Sequence, residues 1–126
     1  MKLFSAVSAL STLLVLPALA HHSGAAFDQS LPVEVEGNDT RLEWTSPHAR
    51  LYVEAKDEAG ASVTWDFELP SPVTLMRRGW SSKALAVGAP VTVTGIRARD
   101  FPHIAIATGV IDASGKRLFS DASPTN

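Results

Sequence analysis

From residue 32 to residue 69 apolar and polar side chains alternate with few interruptions, and a period of two commits this stretch to β-strands. Val33 and Val35 alternate with Glu34 and Glu36. Gly37, Asn38 and Asp39 read as a bulge or turn, after which Leu42 and Trp44 share a face. Thr45, Ser46 and Pro47 make a turn. Ala49, Leu51, Val53 and Ala55 then alternate with Arg50, Tyr52, Glu54 and Lys56, which is the pattern of a half-buried strand. A turn at Asp57, Glu58, Ala59 and Gly60 leads into an inward set of Val63, Trp65, Phe67 and Leu69, with Thr64, Asp66 and Glu68 facing the other way.

The period then changes. Ser71 suits an N-cap, Pro72 the first helical position and Gly79 the C′ position, so residues 72–78 are predicted to form a short helix. Arg77 and Arg78 fall in its last turn, where they favour the negative end of the helix dipole. Val73, Leu75 and Met76 are expected to pack inward, followed by Trp80. Val91 and Val93 open a fourth strand, residues 103–111 form a fifth, and Arg117, Leu118 and Phe119 a short final piece. Three strands, a short helix and two strands predict an all-β domain with one short helix, specifically an OB-like, five-stranded, partly open β-barrel. That domain is expected to span residues 32–119, preceded by an irregular arm at 21–31 and followed by a disordered polar tail at 120–126.

Ahead of the arm, residues 1–20 have the form of a secretory signal. Lys2 is the only charge, an apolar run follows, and Ala18-Leu19-Ala20 supplies a small-x-small exit. The apolar run is short for a membrane span, which needs about 20 residues. The expectation is a mature protein that begins at His21, sits in the periplasm or outside the cell, and has no membrane association once the signal is cut. The full chain carries 11 Lys and Arg against 13 Asp and Glu, so losing Lys2 leaves the mature protein mildly acidic. No basic patch marks a nucleic-acid surface. The absence of cysteine rules out disulfides and thiolate chemistry and leaves stability to the core or to a ligand.

Four histidines carry the chemical signal: His21, His22, His48 and His103. A histidine at a free N-terminus offers both its α-amine and its ring. A further imidazole completes an all-nitrogen set of the kind that suits Cu(II) or Ni(II). His21, His22 and His48 are the expected metal ligands, with copper as the expected metal and His103 in reserve. The plainer reading leaves the paired histidines exposed and inert, with each strand-start histidine bonded to a turn carbonyl. Asp66 and Glu68 share an outward face and could be an acid–base pair, but the solvated face of an amphipathic strand explains them more simply. No nucleophile elbow, phosphate loop or H-E-x-x-H string is present, so an enzyme is not expected. Arg77, Arg78 and Trp80 could form a small anion or aromatic site at the helix end; capping and core packing are the plainer account.

Several strings taken together resemble a known family: His21-His22-Ser23, Phe27-Asp28, Glu43-Trp44-Thr45-Ser46-Pro47-His48-Ala49, Trp65-Asp66-Phe67-Glu68-Leu69, Leu75-Met76-Arg77-Arg78-Gly79-Trp80 and Val91-Thr92-Val93-Thr94-Gly95. The family comprises small exported bacterial proteins catalogued as a domain of unknown function, numbered 6152. The resemblance implies a periplasmic or secreted home and no established activity. It singles out His21, His22, Trp44, His48, Trp65, Glu68, Arg78 and Trp80. Gly24 stands where that family usually has a bulky aromatic. Two functions are therefore expected to compete. One is a copper-binding module built on the mature N-terminal histidine. The other is a non-enzymatic accessory module that holds a small molecule or a periplasmic partner protein through Trp44, Trp65, Glu68, Arg78 and Trp80.

Overall fold

The computed structural model describes residues 27–120. The expected signal, His21, His22 and residues 121–126 lie outside the described residues. Six strands and one helix follow in the order β1 (Phe27–Glu43), β2 (Arg50–Lys56), β3 (Ser62–Glu68), α1 (Pro72–Arg77), β4 (Pro90–Ala98), β5 (Ile104–Asp112) and β6 (Arg117–Ser120). The final apolar piece is thus a sixth strand, which makes the five-strand expectation one short. β1 begins at Phe27, so the last residues of the expected arm belong to a strand. At the other end, Ser120 closes β6 rather than opening the tail.

β1 organises the sheet. Its first half pairs antiparallel with β4, placing Val35 opposite Val93, and its second half pairs antiparallel with β2, placing Glu43 opposite Arg50. Asn38 faces Pro90 on one side and Glu54 on the other, so it marks the handover. Just beyond it the register shifts between Asp39 and Arg41, so the Gly37–Asp39 string is a bulge in a continuous strand and not a turn. The glycine is needed for close approach. A Cβ on Gly37 would strike the carbonyl oxygen of Glu54 and come within 2.7 Å of Val53 Cγ1.

The sheet order is β3-β2-β1-β4-β5-β6, and β3 also pairs parallel with β5, with Asp66 opposite Ile104 and Glu68 opposite Ile106. That second pairing closes β1, β2, β3, β5 and β4 into a ring. The inward set read from the alternation lines it: Leu51, Val53, Phe67 and Val93 are fully buried, with Val110 and Phe119 added from the last two strands.

The helix begins as its caps predict. Ser71 Oγ accepts the Thr74 amide at 3.2 Å, Pro72 opens the first turn and Gly79 takes a φ of 87°. Its inward face differs from the expectation. Leu75 and Pro72 are buried, whereas Val73 and Met76 are about half exposed. A helix this short presents one stripe to the core. With Pro72 and Leu75 on that stripe, the 100° step per residue turns Val73 away from it, while Met76, one turn after Pro72, lies at its edge and stays half exposed.

Candidate functional site

Strand register builds one polar face from the outward residues of β1, β2 and β3. Arg41, Tyr52 and Asp66 lie in one cross-strand row, and Glu43, Arg50 and Glu68 lie in the next. Bonds link the rows diagonally. Arg50 Nε and Nη2 donate to the two carboxylate oxygens of Asp66 at 2.9 and 2.7 Å, and Tyr52 Oη donates to Glu43 Oε2 at 3.0 Å. The Arg41 guanidinium lies 4.1 Å from the centre of the Tyr52 ring. Burial raises the Tyr52 hydroxyl above its ordinary range, and the Asp66 carboxylate adds to the effect. The hydrogen bond to Asp66 pushes the Arg50 guanidinium further up. Asp66 is therefore engaged by a half-buried bidentate cation and is not a free acid or base.

His48 stands at the edge of this face, just before β2. Its Nδ1 lies 3.3 Å from the Leu69 carbonyl oxygen and 3.6 Å from Glu68 Oε1. A backbone carbonyl can only accept, so Nδ1 donates there, and in that tautomer of an imidazole the lone pair lies on Nε2. The imidazole is about half exposed, and Nε2 has no partner among the described residues. The structure thus brings His48 and Glu68 together.

The other expected site residues scatter. Trp44 is half-buried against the core. Trp80 is 5 % exposed, and its indole N–H donates to the Leu118 carbonyl, so it packs as a core residue and presents no surface. Arg78 places its guanidinium 5.2 Å from the centre of the Phe119 ring. Trp65 stacks on Phe67 at 5.6 Å and meets the His103 ring edge to face at 5.2 Å.

Trp65 and His103 lead to a feature that alternation alone did not reveal. Where the first half of β1 parts from β2, an open recess of about 530 Å³ forms. Val35, Ala55 and Val63 give it an apolar floor, and Trp65 and His103 form one wall. Glu34 and Glu36 of β1, Asp57 and Glu58 of the β2–β3 turn, and Lys56 make up the rim. The sequence signal for it was the run of alternating glutamates opposite an acidic hairpin turn, which becomes a site only once the ring brings β1 and that turn together.

A further carboxylate lies in the interior. Asp39 is 1 % exposed, and neither of its side-chain oxygens has a hydrogen-bond partner among the described residues. Burial raises its pKa. Parity pointed to this placement, since residues 33, 35, 37 and 39 fall on one side of the strand.

These features define a small β-rich domain with an ordered polar face on one side and an open acidic recess at the other end of its β2–β3 hairpin. The chain belongs to a family of unknown function, DUF6152, which it matches over residues 9–106. The match therefore begins ahead of β1 and ends within β5. No curated protein and no solved structure matches the chain.

Proposed function

We propose that this protein is an exported, non-enzymatic metal-binding module, with copper as the metal, built on an OB-like barrel. The strand ring, the parallel β3–β5 closure and the helix between β3 and β4 support the barrel reading. The terminal chelate would come from the α-amine and ring of His21 after cleavage behind Ala20, with His22 beside it and His48 as the further imidazole.

The carrying observation is the posture of His48. Metal-binding histidines usually donate their second ring nitrogen to a carbonyl or carboxylate, which fixes the tautomer and aims the other nitrogen outward. His48 has this arrangement through Leu69 and Glu68, on a ring that is about half exposed. Planar nitrogen ligation of that kind suits Cu(II). The family match supports treating the N-terminal segment and the domain as one unit, because it runs from residue 9 into β5.

The test is a Cu(II) titration of the protein recovered from the periplasm, with its first residue read by mass spectrometry. A start at His21 is expected, together with loss of affinity by about tenfold or more in His48→Ala and in an N-terminally acetylated sample. A different first residue, or full affinity in both altered samples, overturns the site. His103→Ala identifies the alternative ring. The arm joins the domain at Phe27, which pairs with Ala98, and the loop after Ala98 leads to His103.

A further inference from the structure

We propose that the recess between β1 and the β2–β3 hairpin binds a small organic ammonium cation that carries an apolar stem. The site is separate from His48, which lies at the opposite end of β2. Its shape comes first: about 530 Å³ is ample for a small-molecule ligand, and Val35, Ala55 and Val63 give that ligand an apolar floor.

The wall adds aromatic surface. Trp65 is only partly buried, and tryptophan is the best aromatic partner for a cation. The rim then decides the sign of the ligand. Glu34, Glu36 and Glu58 have no hydrogen bond or ion pair with any described residue, whereas Asp57 is already used by the Ala61 amide at 2.8 Å. The one cation of the rim, Lys56, donates to Ser62 Oγ at 2.8 Å. An anion would meet unneutralised carboxylates, and a neutral apolar molecule would cover them without compensation. No three histidine or acidic side chains converge as metal ligands among the described residues, so a bare metal ion is a poor fit. An alkylammonium fits both parts, with its stem on the floor and its charge at the rim.

The experiment titrates the full exported protein, with EDTA present to exclude metal, and follows tryptophan fluorescence. The probes are n-butylammonium and spermidine, with 1-butanol and butyrate as comparators. Saturable binding of the ammonium probes alone is expected, weakening with added salt because exposed charges are screened. Glu34→Gln with Glu36→Gln should weaken binding about fivefold or more, and Trp65→Phe should abolish the fluorescence response. Lys56→Gln provides a check of opposite sign and should tighten binding about twofold. A response to butanol equal to that for butylammonium, or an unchanged constant in the double glutamine variant, overturns the proposal. An Nα-acetyl-lysine amide distinguishes the sources: preference for it over spermidine assigns a lysine side chain of a partner, and the reverse assigns a free polyamine.

Discussion

Asp39 offers the sharpest test of how the core is built. Its carboxyl group is 1 % exposed and its two oxygens accept no hydrogen bond of good geometry among the described residues, in a strand whose backbone is otherwise well bonded: the Asp39 N–H donates to the Ala89 carbonyl at 2.8 Å and its carbonyl accepts from Gly88 at 2.6 Å. A buried polar group without a partner costs about 1–3 kcal/mol, and an ionised one costs more. Burial therefore lifts the folded pKa, although the nearby Arg41 amide favours the anion slightly. The sign follows. The unfolded aspartate ionises near pH ~3.9, while the folded one holds its proton to higher pH. Below both values the site costs only its unmade hydrogen bonds. As pH rises between them, the native state binds more protons than the unfolded state, so stability falls and then levels off. Asp39→Asn keeps the shape and cannot ionise. It should add about 1 kcal/mol at pH 8 and almost nothing at pH 3. For a domain of this size that is a rise in Tm of roughly 4–8 °C at pH 8. Thermal and urea unfolding at both pH values measure it. A loss of stability at pH 8, or an equal change at both pH values, would show that the Asp39 carboxylate forms a bond that its burial argues against.

Other consequences are equally direct. Gly37→Ala should destabilise by about 2 kcal/mol or more in urea titrations, because the new methyl meets the Glu54 backbone and Val53, which cannot yield without opening the β1–β2 pairing. Asp66→Asn should cost about 1–3 kcal/mol by leaving Arg50 half-buried without its carboxylate, and a double-mutant cycle with Arg50→Met should show coupling between the two. Asp112 has its pKa lowered, first by the Ser114 hydroxyl at 2.6 Å. Its contribution is present above the unfolded aspartate pKa and is lost as pH falls through the folded one. Asp112→Ala should therefore flatten the acid limb of the stability curve, read by thermal melts between neutral and strongly acidic pH.

The parts of the fold governed by local chemistry were legible in the chain. Alternation identified the inward faces of β2 and β3, and Ser71, Pro72 and Gly79 marked the ends of the helix. Non-local pairing was less accessible. That β1 would run unbroken through Gly37 and serve both β2 and β4 depends on contacts with Glu54 and Pro90, which no local pattern encodes. The helix misreading has a similar origin: Val73 and Met76 are apolar and share a side, but which stripe turns inward is set by how α1 leaves β3. At the site, parity correctly put Arg50 and Tyr52 outward, and hairpin register then dictated the Arg50–Asp66 pair. Trp80 shows the converse. Its core packing after the helix was legible, but the distant Leu118 carbonyl that takes its indole N–H was not.

The two proposed sites stand at opposite ends of one hairpin, and this makes them separable by experiment. β2 starts at Arg50 beside His48 and ends at Lys56 on the rim of the recess. Variants at one end share no contact with the other, so their effects should add. His103 is the exception, since it lines the recess and follows the loop after Ala98, where Phe27 joins the sheet. If His48 is the metal ligand, bound copper should leave ammonium binding in the recess almost unchanged. If His103 is the ligand, a divalent charge held against Trp65 should suppress ammonium binding, and His103→Ala should restore it. Competition between copper and n-butylammonium, a monoamine that cannot chelate the metal, thus identifies the imidazole without requiring a view of the N-terminal segment.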